Sequence, residues 1–335
     1  MATEIESLLE YVMNVGGSEL IVTEGAPSAV RLAGKVCAVP DAPAVEFGAL
    51  REFLGSMEGD DGSMLCGPWA GVKWRVRYFR EALGNAAVFR PLIAECPSFD
   101  SLGAPASVMG LQGLSSGLVV FAGPACSGKT TTASAYVKAL CESRVMRVSL
   151  LDANAEIPIT VGNSLVLKDS VGSVEARMSQ ALRSGCDLIW LGDFKGDALL
   201  PMLRAAEAGA LVVCCVTAGN SAGVLDSLLS SVPAQDRDLC RTMLAAYLKS
   251  VVVQRLLPGA AEGSGAVPAW EILFNTQNAS TLIRRGEFFK LASIIAASAS
   301  EGMMLMDDCL VELVKSGYVA REEAERYVSS TVRFD

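Results

Sequence analysis

The chain contains no histidine. That absence excludes every mechanism built on an imidazole: Ser-His-Asp triads, His-ligated metals and His proton shuttles. Any hydrolysis here must run on carboxylates, Lys, Arg, Mg²⁺ and backbone dipoles. Ten cysteines are present, but no C-x-x-C spacing occurs. With no His to complete a mixed site, a structural zinc is not expected. Charged residues make up only 19%, the net charge is −9, and no basic block stands out. Nucleic acid is therefore not the expected partner. The N-terminal Met-Ala-Thr-Glu-Ile-Glu-Ser-Leu-Leu-Glu is acidic and amphipathic, without the basic and apolar regions of a signal peptide. No run approaches the ~18 apolar residues of a membrane-spanning helix. The expectation is a cytoplasmic protein whose cysteines are reduced, small apolar core residues.

The chain is 335 residues long, enough for about two domains. Apolar residues reach 51% and the mean hydropathy is +0.37, a surplus that points to subunit contacts. Residues 4–14 have a helical apolar period (Ile5, Leu8, Leu9, Val12) that stops at Gly16-Gly17. Short strand-like runs follow at 19–23, 29–32 and 35–39. A helical stretch covers 45–57, and two more strands lie at 72–79 and 85–91. This α+β pattern predicts a small domain over residues 1–97, with Glu95–Phe99 as linker. Beyond it, apolar strands (117–122, 147–151, 187–192, 210–216) alternate with helical stretches (129–142, 172–184, 197–208, 221–230). Alternation of that kind predicts an α/β, RecA-like core over 98–278, followed by a helical C-terminal region over 279–335.

The core carries one sharp motif. Gly123-Pro124-Ala125-Cys126-Ser127-Gly128-Lys129-Thr130 is G-x-x-x-x-G-K-[ST], set between the apolar run Leu118–Ala122 and the helical Thr131–Val137. Backbone N–H groups of such a loop converge on phosphate oxygens, and the helix N-terminus adds its positive dipole end. Residues 123–131, Thr131 included, are the expected nucleotide-binding segment. Lys129 would neutralise the β/γ-phosphates and Thr130 would ligate Mg²⁺, so ATP and Mg²⁺ are the expected ligands. Cys126 is either an oxidation-sensitive thiol or simply a tolerated loop residue. Two apolar strands end in acids: Leu188-Ile189-Trp190-Leu191-Gly192-Asp193, which has the Walker B shape, and Val148-Ser149-Leu150-Leu151-Asp152, with Glu156 four residues on. Each Asp serves either as a metal- or water-directing carboxylate or as a helix N-cap. Arg75, Arg90 and Arg183 are candidate stabilisers of transition-state charge, the alternative being a solvated polar face.

Together these residues resemble the type IV pilus retraction (twitching motility) ATPases of the type II/IV secretion ATPase superfamily. Gly17-Ser18-Glu19-Leu20 resembles the family's G-A-S-D-L, and Val30–Val36 its I-R-x-x-G-x-V. Trp74-Arg75-Val76 resembles F-R-V-N, and Ala87-Val88-Phe89-Arg90 resembles A-V-F-R. Ala205-Ala206-Glu207-Ala208-Gly209 resembles A-A-E-T-G, and Leu282-Ile283-Arg284 resembles L-I-R-E. The resemblance implies a PAS-like N-terminal domain, a RecA-like C-terminal domain and a hexameric homo-oligomer. It also implies an inner-membrane platform protein as partner, with a second pilus ATPase as a further candidate. Nucleotide would lie between the domains. The departures matter as much. The family's Asp box T-I-E-D-P-I-E aligns with Leu150–Glu156, so its catalytic Glu is Asp152. The Walker B Glu is Asp193, and the His of G-T-L-H-T-T is Thr217. One Arg of the helix before Walker B is Ser179, while Arg183 is kept. Each Glu-to-Asp change shortens reach by ~1.5 Å, at a scale where ~1 Å can cost ~100-fold. The expected catalytic set is Asp152, Glu156, Asp193 and Arg183, with Thr130 and Asp193 at the metal and slow turnover overall. Two functions stay open: a weakened motor ATPase, or a nucleotide-gated partner of a pilus motor.

Overall fold

The computed structural model describes residues 4–32, 35–55, 61–82, 84–92, 95–151, 164–168, 173–194, 196–261, 265–328 and 334. The described chain divides into two compact units at Glu95/Cys96.

The first unit is α+β. Helix α1 (Glu4–Asn14) buries Ile5, Leu8, Leu9 and Val12, the one-face stripe that its sequence period dictates. Strands β1 (Glu19–Thr23), β2 (Ala29–Leu32) and β3 (Lys35–Ala38) precede helix α2 (Ala49–Leu54). Strands β4 (Asp61–Trp69), β5 (Val72–Arg80) and β6 (Asn85–Pro91) complete the unit. They form a six-stranded sheet in the order β3-β2-β1-β6-β5-β4. Its inner face holds Leu20, Val22, Val30, Trp74, Val76, Tyr78 and Phe89 against the two helices. Along β5, Trp74, Val76 and Tyr78 are buried while Lys73 and Arg77 are exposed and Arg75 is half-buried, the alternation of a sheet with one apolar face.

Two expectations need correction here. The helix read over 45–57 is only Ala49–Leu54, because Gly48 (φ 89°) and Gly55 (φ 72°) bracket it in backbone conformations a helix cannot continue. Strand β4 was not among the expected strands; it carries Gly62, Gly67 and Pro68, which weaken a strand signal. It lies at the sheet edge, where such residues are tolerated.

The second unit is α/β. Helix α3 (Ala106–Met109) leads to β7 (Gly117–Ala122), α4 (Lys129–Ser143), β8 (Arg147–Leu150) and β9 (Leu165–Lys168). Next come α5 (Val174–Arg183), β10 (Leu188–Asp193), α6 (Leu199–Glu207), β11 (Leu211–Val216), α7 (Ser221–Ser230) and α8 (Arg237–Tyr247). The chain ends with β12 (Leu248–Pro258), β13 (Ala266–Phe274), α9 (Gln277–Arg285), α10 (Leu291–Ala297), α11 (Met306–Lys315) and α12 (Arg321–Ala324). The seven-stranded sheet has the order β13-β12-β7-β11-β10-β8-β9. Among its described strands only the β12–β13 pair is antiparallel. Every residue of β7 and β11 is buried, so these strands read as unbroken apolar runs, the signature of a sheet covered on both faces. Strand β9 and the β12–β13 hairpin escaped the sequence reading. Strand β7 is an interior strand, flanked by β12 and β11, and in open α/β sheets ligands bind outside the carboxyl ends of such strands.

Candidate nucleotide-binding site

The turn from β7 to α4 occupies that position. At Gly123 a Cβ would stand 2.3 Å from the Gln254 carbonyl oxygen and from the Ser127 hydroxyl, so only glycine fits. Gly128 caps α4 with φ 80°, and a Cβ there would stand 2.9 Å from the Gln254 amide nitrogen. Cys126 also has positive φ, 59°, a conformation that costs a non-glycine residue of order 1 kcal/mol. The Gly123 N–H donates to Val216 O (3.2 Å) on β11, the Ser127 N–H to Pro124 O (3.4 Å), and the Thr132 N–H to Gly128 O (3.0 Å). The last is the first turn of α4, so the Lys129, Thr130 and Thr131 amides have no acceptor within the helix and face outward along its dipole.

Lys129 is 9% exposed, and its ammonium donates to Pro124 O at 3.5 Å, folded back across the turn. Ser127 is buried, and its hydroxyl has no hydrogen-bond partner. A tight glycine cradle, three outward amides, a lysine laid over the turn and an orphaned buried hydroxyl together fit a polyphosphate anion.

Strand register brings the expected metal-side residues to the same place. Asp193, the exposed last residue of β10, pairs with Cys215 of β11, and Cys215 pairs with Phe121 of β7. Burial pushes the Cys215 thiol well above the usual range, and Cys214 and Asp193 push it the same way. Lys129 and a hydrogen bond from Thr130 pull it back. Lys129, Thr130 and Asp193 are thus all close enough to bear on the Cys215 thiol. Protein groups this few suit Mg²⁺, which keeps several waters and takes phosphate oxygens, binding through one or two side chains.

Other expected residues are placed elsewhere. Asp152 and Glu156 lie outside the described residues. Arg183 ends α5 and donates to Ser179 Oγ at 2.6 Å, near the amino end of β10 and so at the opposite edge of the sheet from the turn at 123–128. Arg75 and Arg90 belong to the first unit. They sit cross-strand on β5 and β6, and Arg90 ion-pairs with the buried Glu19 at 2.5 Å. Thr217, at the position of the family's His, is exposed just past β11.

Three residues near the carboxyl edge were missed by sequence reading. Arg177 on α5 donates to Leu151 O at 2.5 Å, one residue before Asp152. Glu271 on β13 accepts the Ser221 N–H at 2.6 Å and so anchors the start of α7. Gln254 on β12 lies against both glycines of the turn. None belongs to a sequence motif, and Gln254 and Glu271 each interrupt an apolar strand, which was the only available signal.

The chain from residue 104 to 289 matches the family model of the type II/IV secretion system protein. The type IV pilus retraction ATPase PilT of Pseudomonas aeruginosa is 29% identical over 96% of this chain and 97% of its own length. A twitching motility protein of Neisseria gonorrhoeae is 30% identical over 76% of this chain and 69% of its own. The crystal structure of the pilus retraction motor PilT with bound ADP superposes with a TM-score of 0.77 at 25% identity, covering 98% of each chain. A family match over more than half of the chain, with a fold shared over 98% of it with that motor, establishes that the chain belongs to the type II/IV secretion system protein family.

Proposed function

We propose that the chain is a Mg-ATP-binding, slowly hydrolysing P-loop ATPase of the pilus-retraction type, working as a homo-oligomeric ring, a hexamer. The observation that carries the reading is the cradle at 123–131, with Lys129 laid across it and the buried Ser127 hydroxyl left unpartnered. The ADP in the related PilT structure supports the same ligand class. Lys129 neutralises the β/γ-phosphates and the turn's amides hold their oxygens. Thr130 and Asp193 are the groups that would hold Mg²⁺, and the ion would supply charge neutralisation at the transferring phosphoryl group. Asp152 and Glu156 direct the attacking water. Arg177, tied to the end of β8, is better placed than Arg183 to serve within one subunit. Arg75, Arg90 and Arg183 are kept as charge stabilisers supplied by a neighbouring subunit.

The partner expected for such a ring is an inner-membrane platform protein. Among the described residues no helix is long and apolar enough to cross a membrane, so attachment would be peripheral, from the cytoplasmic side. A second reading is a nucleotide-gated partner of another pilus ATPase. It is favoured by the shorter Asp193 at the end of β10 and by the imidazole-free Thr217 beside it.

Steady-state ATPase assays on the wild type and Lys129→Ala decide between them. The motor requires turnover that the substitution abolishes. Equal rates in both proteins would leave only the gated partner. Absence of MgATP uptake by folded wild type in calorimetry would remove both readings.

A further inference from the structure

Gln254 is a buried amide in an apolar strand. It follows Ser250, Val251, Val252 and Val253, all buried, and is itself 5% exposed. Burying a primary amide costs roughly 1–3 kcal/mol unless its polar atoms are bonded, so its contacts carry information. Its Oε1 accepts the Thr132 hydroxyl at 2.6 Å, deep inside the unit. Its Nε2 lies where a Cβ on Gly128 would come within 2.9 Å, and its own carbonyl oxygen lies where a Cβ on Gly123 would come within 2.3 Å. One residue of β12 therefore touches the first glycine of the phosphate turn, the last glycine, and the first complete turn of α4. It also lines a cavity of about 360 Å³ beside the turn, shared with Gly128, Thr131, Leu256 and Pro268.

We propose that Gln254 is a positioning residue for the phosphate turn: its side-chain bond to Thr132 and its contact with Gly128 hold the start of α4 in the orientation that aims the Lys129, Thr130 and Thr131 amides at one anion. The physical reason is local. Gly123 and Gly128 lack side chains and so cannot fix the turn themselves, and Cys126 is strained within it. The turn needs an external clamp, and β12, which runs parallel to β7 with Val253 beside Ala122, delivers Gln254 at the level of Gly123. Because β12 continues into β13, where Glu271 anchors α7, the same strand pair ties the phosphate turn to the segment that follows β11.

The inference rests on the nucleotide reading above, and the experiment separates the two. MgATP and MgADP affinities are measured by calorimetry on the full chain for wild type, Gln254→Ala, Thr132→Ala, the double variant, Thr132→Ser and Gln254→Glu, each checked for folding by circular dichroism. Loss of a buried hydrogen bond that orders the site predicts roughly tenfold weaker binding for each alanine variant. The double variant should be no weaker than the worse single, as for two halves of one contact. Thr132→Ser, which keeps the hydroxyl, should bind like wild type. Gln254→Glu keeps the Thr132 acceptor but sets a carboxylate beside Gly128. It should bind ATP more weakly, with the loss growing as salt is lowered. Should Gln254→Ala fail to fold, the pair Thr132→Ala and Thr132→Ser decides, because each alters only the other half of the same bond: wild-type affinity in folded Thr132→Ala overturns the proposal. Wild-type affinity in the folded Gln254 variants, or fully additive losses in the double, overturns the proposal while leaving nucleotide binding intact. A folded wild type that takes up no MgATP overturns the nucleotide reading itself, whatever Gln254 does.

Discussion

Glu19 on β1 accepts from two guanidinium groups at once, Arg31 at 2.7 Å and Arg90 at 2.5 Å. The carboxylate side chain is 5% exposed, while the arginines keep 28% and 43% of their side-chain surface in water. The bridge links three neighbouring strands, β2, β1 and β6, on the face opposite the apolar core. Breaking a fully buried pair costs about 3–5 kcal/mol, and the exposure of both arginines reduces that. Glu19→Ala should destabilise the protein by about 1–3 kcal/mol in urea titrations. Arg31→Ala should cost less, because Arg90 still neutralises the carboxylate. Equal stability of wild type and Glu19→Ala would show that the bridge contributes nothing net.

The ten cysteines should divide by reactivity. Cys37 and Cys126 are exposed and Cys66 is partly covered, while Cys96, Cys141, Cys186, Cys214, Cys215, Cys240 and Cys309 are buried. A thiol reagent at neutral pH should label Cys37 and Cys126 quickly and the buried group only on unfolding. Because Cys126 lies inside the phosphate turn, saturating MgATP should slow its labelling without affecting Cys37. Mass spectrometry of quenched time points reads both rates. Undiminished labelling of Cys126 in the presence of MgATP would place the nucleotide elsewhere.

What the sequence disclosed and what it hid follow from how far apart the interacting residues lie. The phosphate turn was legible because its chemistry is contiguous: two glycines, a lysine and a threonine at fixed spacing, between an apolar strand and a helix. Strand β7 and helix α7 fall on the residues that periodicity assigned them, since a covered parallel strand and a capped helix are local patterns. The β12–β13 hairpin was illegible because its buried stretches are interrupted by polar residues, Gln254 and Glu271 among them, whose partners lie in other elements. Thr132 is 122 positions from Gln254, and nothing in either local segment announces the contact. The same holds for Arg177. Arg183 drew attention by its place just before β10, yet it bonds Ser179 on its own helix, whereas Arg177, earlier on α5, reaches the end of β8 at Leu151 O.

With no histidine, the chain lacks the one side chain whose ordinary titration falls between pH 5 and 8. Stability should be nearly flat over pH 6–8. The alkaline side differs. Burial holds the Cys96 thiol up at about 11, raises Cys141, Cys186 and Cys309, and raises Cys214 and Cys215 further. Tyr136 is raised by burial as well. In the unfolded chain these thiols ionise near their ordinary value of 9.0, while in the fold they stay protonated. The unfolded state therefore binds fewer protons above that pH, and stability falls as pH rises. The contribution is complete below pH 9 and is lost from there upward. For the fully buried pair Cys214 and Cys215 alone the slope is up to ~3 kcal/mol per pH unit. Urea midpoints under reducing conditions should hold steady from pH 6 to 8 and drop sharply between 9 and 10.5. A midpoint unchanged at pH 10.5 would mean that these thiols ionise as readily folded as unfolded.

The two shortened carboxylates give the most direct handle on turnover. Asp193 ends β10 after a register shift between Trp190 and Gly192, so its short side chain starts from a fixed strand end and cannot gain reach by sliding along β11. An added methylene extends the carboxylate by ~1.5 Å, and misplacement on that scale is worth ~100-fold in rate where an attacking water must be held in line. The double variant Asp152→Glu with Asp193→Glu should therefore raise kcat by about 10- to 100-fold. MgATP affinity should stay within about threefold, because the groups that grip the phosphates, Lys129 and the turn amides, are untouched. Each single variant should give only part of the gain, since in the proposed mechanism both acids act on one phosphoryl transfer and effects of that kind are not additive. Single-turnover assays distinguish a faster chemical step from faster product release. An unchanged chemical step in the double variant would show that carboxylate reach does not limit hydrolysis, leaving the absent imidazole at Thr217 and the absent guanidinium at Ser179 among the remaining differences, the first of which Thr217→His in the same background would then test.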